Sequence, residues 1–564
     1  MTQLDSGELE PTPERRRVTA RQVVEWSART TAGIVTAAIA AGVAFGSLFF
    51  VPPTWSVTAP SVEVTPVPAG VTLVCSGSVL RLADDTGEGA SQATAIGEPT
   101  IVLSVEDADT ALIGTSDAGT GDTAQAPTIV TIPPGDATGV AGGLTVQQLS
   151  TGSTSGLVAA PCTTPNLRSW IVGGATTLGR TSILTLTNPT EVDSVVDLRL
   201  YGETGPVDAP GLEGILVQAN TQRVIPVNGL AVDLVAPVIQ ISAQGGAVAA
   251  TLQQSIVRGL ETGGAELVPA QEPATDLVMT GIRVESQASL QVMTKGRVDE
   301  DDVVPMLRLF TTAEERTEAV VSVVPLGYTV ADAAAGDTDD GDSHDGHDHG
   351  EIVEGQPDPR QLRVTLIPGA VSEIPLTGLA AGEYSIFASA DAPIVGAVRS
   401  ATVATRLAPA PPAPDPAQPA QPQPPVADND PSSSGPVDAP AGAPSAPGPS
   451  LPSIPIADYV VEFAWYSPAA RLGQTAASAV PRAFTSTLAV ANPGGAEREV
   501  SLGDGATLVV PAGGWTTIEV AAGPLILSGA DGLSAAITIH DEGLIAQAAL
   551  QPPPQLARPV TVYP

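Results

Sequence analysis

The feature that most constrains this chain is a short pattern that occurs twice, 304 residues apart. Residues 184–200 read LTLTNPTEVDSVVDLRL and residues 488–502 read LAVANPGGAEREVSL. In each, apolar and polar residues alternate up to Asn188-Pro189 or Asn492-Pro493, and the pattern resumes through Val196 and Leu198 or Val500 and Leu502. A period of two puts Leu184, Leu186 and Leu198 on one face and Thr185, Thr187 and Asp197 on the other, as in a half-buried antiparallel pair. Proline cannot donate to a ladder and asparagine satisfies turn backbone, so a strand is expected to end at each Asn-Pro and return as a hairpin. A lone hairpin is marginal in water, so each must join further strands in a sandwich.

Two more strand-turn-strand segments follow each copy in the same order. After the first come ILVQANTQRVIPV and VIQISAQGGAVAATLQQSIV; after the second come LVVPAGGWTTIEV and AAITIHDEGLIAQAAL. Between them, LRLFTTAEERTEAVVSVVPL, LRVTLIPGAVSEIPL and YSIFASADAPIVGAVRS align to the same series with one indel, which makes three divergent copies. The expected fold is mainly β: one N-terminal transmembrane helix followed by antiparallel, immunoglobulin-like β-sandwich modules in series. The expected boundaries are a first module at 57–165, a second at 166–262, a third at 276–407 and a fourth at 457–564. Residues 408–456, rich in proline, cannot bury a core and read as an extended linker. Trp170 and Trp465 precede equivalent hairpins, which predicts buried sandwich tryptophans.

The run TAGIVTAAIAAGVAFGSLFFV, residues 31–51, carries no charge and as a helix reaches roughly 31 Å, enough to cross a hydrocarbon core. Arg15, Arg16, Arg17, Arg21 and Arg29 precede it, while no Lys or Arg occurs in the next 20 residues, so residues 1–30 are expected in the cytoplasm. No small-x-small cleavage site is evident in Phe45 to Val51, which favours an uncleaved signal anchor over a signal peptide. The expected location is therefore the cell membrane, single-pass, with residues 31–51 contacting lipid and the bulk of the chain outside. There, Cys75 and Cys162, the only cysteines, are expected to form a disulfide that stabilises the first module by about 4–5 kcal/mol.

Charge and inventory narrow the function. With 24 Lys and Arg against 61 Asp and Glu, the net charge of −37 argues against nucleic acid as a partner. Three of the four histidines, His344, His347 and His349, crowd with six aspartates into GDTDDGDSHDGHDHGE at 336–351, an insertion in the third module. Imidazole and carboxylate there could ligate Zn, Ni or Cu, although the segment is equally a low-complexity solvated loop. No nucleophile elbow or phosphate-binding motif occurs, and no cofactor is expected. Acid-base hydrolysis of a polysaccharide needs only two carboxylates, but apart from Trp26 and Trp55, which flank the expected span, only Trp170, Trp465 and Trp515 could offer a sugar an indole face.

The Arg-flanked span, CTTPNLRSWIVGGATTLGRTSILTLTNPT at 162–190, and the series ending in SIVRG at 255–259 resemble a family of actinobacterial membrane-anchored extracellular proteins. That family is defined only as a domain of unknown function, and the resemblance implies an envelope role of unassigned biochemistry. The expectation is a non-enzymatic envelope protein that scaffolds or adheres through repeated modules, with envelope polymers or envelope proteins as partners. The alternative is a carbohydrate-active enzyme or binding protein that acts on wall polysaccharide through an unidentified carboxylate pair.

Overall fold

The computed structural model describes residues 62–64, 70–82, 93–105, 108–120, 124–132, 141–150, 154–259, 261–286, 300–335, 357–405, 459–552 and 560–562, with positions 35, 37, 38, 288 and 290. The expected span 31–51 lies outside the described residues except for Val35, Ala37 and Ala38, which are helical and exposed. Among the described residues no helix is long and apolar enough to cross a membrane. The His/Asp insertion and the proline-rich segment also lie outside them.

The molecule is mainly β and its sheets are overwhelmingly antiparallel. In the second module Arg168–Val172, Val238–Gly245, Ser194–Gly202 and Ile215–Val217 form one sheet, and Glu261–Pro269, Ala249–Arg258, Arg180–Asn188 and Thr221–Pro226 the other. The fourth module repeats this order strand for strand. Thr475–Val480, Gly523–Ser528, Arg498–Leu502 and Thr507–Val510 face Leu544–Ala549, Ser534–Asp541, Thr485–Asn492 and Gly514–Glu519. In the third module one long strand, Gly382–Thr405, serves both sheets. Its first half pairs with Ala274–Val284 and Thr317–Pro325, and its second half with Met306–Thr311 and Tyr459–Tyr466. Three copies of one topology are therefore present.

The expected hairpins are corrected. Arg180–Asn188 and Ser194–Gly202 belong to different sheets, as do Thr485–Asn492 and Arg498–Leu502, so each Asn-Pro corner carries the chain across the sandwich. An arch and a hairpin both turn the apolar face inward, so alternation cannot tell them apart. True hairpins occur instead at the end of each module. Ala249–Arg258 pairs with Glu261–Pro269, and Ser534–Asp541 with Leu544–Ala549 through Glu542-Gly543, both at positive φ, as a two-residue primed turn needs. The first module ends in the same way, with Gly143–Ser150 paired to Ser155–Pro161.

The third module's last hairpin has its strands on either side of the proline-rich segment. Thr405 and Tyr459 are ladder partners, so the strand positions on either side of residues 406–458 sit directly opposite each other in one sheet. Directly opposed strand residues lie about 4.5–5.5 Å apart, so this segment cannot hold two modules at a distance. Tyr459–Tyr466 thus completes the third module rather than opening the fourth.

Residues 67–557 form one compact unit. The four final strands, Ser155–Pro161, Glu261–Pro269, Tyr459–Tyr466 and Leu544–Ala549, pack in a closed ring, the first against the second and fourth and the third against the same two. Each completes the core of the module before it. Ala265 and Leu267 join Val79, Leu149 and Val158 of the first module; Phe463 and Trp465 join Leu184, Leu186 and Val196 of the second. Ile545 joins Met279, Val321 and Ile386 of the third, and Leu157 and Ala159 join Leu488, Val490 and Val500 of the fourth. This corrects the expectation of modules in series: sharing apolar core between neighbours removes more surface from water than a string can. A second unit, residues 1–66 and 558–564, contains an antiparallel pair of Val62–Val64 and Val560–Val562.

Candidate functional site

Several charged side chains are buried at the ring junctions. Glu266 and Glu462 stand on two of the four final strands and are 0% and 1% exposed. Oε1 of Glu266 accepts from the N–H of Leu267 at 2.8 Å and, across the junction, from that of Ala159 in the first module at 3.3 Å. Glu462, from the third module, accepts from the N–H of Phe463 at 3.2 Å and from the backbone of Ala265 in the second. Glycine makes room for it: a Cβ on Gly156 or Gly264, both at positive φ, would run into the Glu462 carboxyl group. Burial pushes both carboxyl groups well above the usual carboxylate range, against the pull of those N–H donors, and the charge of Glu462 raises Glu266 further.

Between the second and third modules, Arg308 is 1% exposed. Its guanidinium donates to the carbonyls of Gly174, Pro237 and Val235 at 3.0–3.1 Å and to Glu373 at 2.8 Å, and it lies 4.9 Å from the ring centroid of Trp465. Trp465 in turn donates Nε1–H to Gln254. Asp302, on the short helix Glu300–Val303, is held by Arg180 and Arg258 of the second module, the latter at 2.8 Å. Burial opposes its ionisation, yet the two arginines hold its carboxyl below the ordinary value. Between the third and fourth modules Trp515 donates Nε1–H to the carbonyl of Val324 at 3.0 Å, and Thr538 its hydroxyl to that of Gly281 at 3.1 Å.

Cys75 and Cys162 are bonded, as expected, with Cα atoms 4.2 Å apart, and are 0% and 2% exposed. They fix the start of the first module to the end of its last strand, beside the bridge between Val74 and Thr163. His344, His347 and His349 lie outside the described residues; among those described, no group of three or more His, Cys, Asp or Glu could hold a metal ion. Trp170, Trp465 and Trp515 are all buried, so none offers a face to a sugar. Trp170 and Trp465 are not equivalents: the first lies on the opening strand of the second module, the other on the closing strand of the third.

Sequence reading missed Glu266, Glu462, Arg308 and Asp302. A signal for two of them was present, since Glu462 in YVVEFAWY and Glu266 in AELVP are single acids in strands apolar on both faces. Chemically the pair is sealed. A hydrolase needs its two carboxyl groups on either side of a cleft that admits substrate and water, whereas these two accept backbone N–H groups inside a packed junction.

Among curated proteins none matches the chain. Residues 117–336, which run from the first module across the whole second and into the third, match the model of a family of unknown function, DUF5719.

Proposed function

We propose that this chain is a membrane-anchored, non-enzymatic protein of the cell envelope. Its immunoglobulin-like modules act together as a rigid scaffold that presents sheet surfaces to envelope polymers or envelope proteins outside the membrane. The observation that carries this reading is the use to which the buried polar groups are put. Glu266, Glu462, Arg308 and Asp302 each bond across a module boundary, so the chemistry of the interior is devoted to rigidity. Anchoring rests on the uncharged run 31–51 and the arginines before it. The acidic surface would meet anionic wall polymers only with divalent cations between them.

The test is co-sedimentation of residues 52–564 with separated peptidoglycan, wall polysaccharide and membrane proteins, with and without calcium. Saturable retention by one fraction without any change in the polymer's length is expected. Release of sugar fragments by the wild type, lost in an E266Q/E462Q double variant that still folds, would overturn the reading in favour of a carbohydrate-active enzyme.

A further inference from the structure

Where the third and fourth modules meet, Arg283, Glu285, Leu290, Thr402, His540 and Ile545 line a cavity of about 290 Å³. That is close to the small end of ligand pockets, roughly 300 Å³. Elsewhere at the junctions, buried Arg308 and half-buried Arg258 are matched to acids or carbonyls. Arg283 differs. It is half-buried, and its guanidinium has no hydrogen bond or ion pair with any described residue; Glu383, its ladder partner, does not reach it. Glu285, two residues on, is also half-buried and forms no ion pair with Arg283 or with any other described residue. A cation and an anion thus line one cavity without neutralising each other, in a chain where acids outnumber bases by more than two to one.

We propose that this cavity binds a small zwitterion, a free α-amino acid or short peptide whose carboxylate is taken by Arg283 and whose ammonium group is taken by Glu285. The planar guanidinium fork matches a carboxylate with two parallel N–H···O bonds, and a carboxylate such as Glu285 accepts from an ammonium group. The Thr402 hydroxyl, without a hydrogen bond to a described residue, is available to the ligand's polar backbone. Leu290 and Ile545, 1% and 4% exposed, supply an apolar wall for its side chain. His540 completes the lining; burial and the charge of Arg283 lower its basicity, so at neutral pH its ring is uncharged and does not compete with Arg283 for the carboxylate.

The test is calorimetric titration of the full chain in detergent with dialanine, N-acetylalanine and alanine amide. Saturable binding of dialanine is expected, weakened at least tenfold by R283Q, with E285Q abolishing the preference for dialanine over N-acetylalanine. A second readout needs no variant: dialanine should protect His540 from diethyl pyrocarbonate, as located by mass spectrometry. Absence of saturable binding by the wild type, undiminished binding by folded R283Q, or full labelling of His540 at saturating dialanine would overturn the site. Equal affinity for N-acetylalanine would overturn the zwitterion assignment and leave a simple anion pocket.

Discussion

Asn188 and Asn492, 304 residues apart, make the same hydrogen bonds in two modules. Nδ2 of Asn188 donates to the carbonyls of Val192 and Val217, and that of Asn492 to those of Ala496 and Val510; each Oδ1 accepts from the N–H two residues on, of Thr190 or Gly494, at 3.0 Å. Both side chains are buried, at 0% and 1% exposure. Each arch crosses between sheets, where no ladder can serve its backbone, and the asparagine supplies the missing partners. In the third module Thr311 stands at this corner; its hydroxyl accepts from the N–H of Ala313 and shares a hydrogen bond with the hydroxyl of Thr317.

Replacement of either asparagine by alanine strands buried carbonyls, which costs about 1–3 kcal/mol. N188A and N492A are each expected to lower the urea midpoint by such an amount, whereas Thr190→Ala, whose hydroxyl lies at the exposed edge of the arch, should cost less. Equal effects would contradict the assigned role of the asparagine side chain.

The buried acids give the ring a pH dependence whose sign is fixed. Folded-state carboxyl groups raised above their unfolded value of about 4.3 bind more protons folded than unfolded. Their stabilising contribution is therefore fully present below that value and declines as pH rises toward the folded values, by up to about 1.4 kcal/mol per pH unit for each group. Urea unfolding from pH 4 upward should show that decline, and E266Q/E462Q should flatten it and be the more stable protein at pH 7. An unchanged slope in the double variant would place the titrating groups elsewhere.

Arg308 bonds to three carbonyls and one carboxylate. Arg308→Ala leaves all four without their donor and is expected to cost about 3–5 kcal/mol, with faster hydrogen exchange in residues 172–175 and 235–237. Arg308→Lys should recover only part of it, because one ammonium group cannot copy the fork that reaches Gly174, Pro237 and Val235 together.

Because Thr405 and Tyr459 are ladder partners, residues 406–458 are expected to be dispensable for folding. Replacing them with Asn-Gly should preserve the circular dichroism spectrum and raise stability by up to about 3 kcal/mol through the shorter loop. Loss of folding in that variant would show that the segment contributes to the core.

The strands were legible because half-buried sheets write their period into the sequence, and the repeat because Asn188 and Asn492 sit at the same step of it. The disulfide followed from there being only two cysteines. The ring was not legible. Nothing local to Tyr459–Tyr466 says that its ladder partner lies before the proline-rich stretch, so a local reading puts Trp465 in the fourth module, whereas it closes the third. The partners of Glu266 and Glu462, the N–H groups of Ala159 and Ala265, come from other modules and are invisible to a local reading. Long-range packing of final strands leaves no periodic trace; its one mark was an acid in a segment apolar on both faces.

The most direct test of the closed ring is small-angle X-ray scattering of residues 67–557 with residues 406–458 replaced by Asn-Gly. A compact unit of this size has a radius of gyration of about 22–24 Å, and that is the value expected. A value roughly twice as large, with the profile of an elongated particle, would mean that the modules stand in series and that the four final strands do not meet.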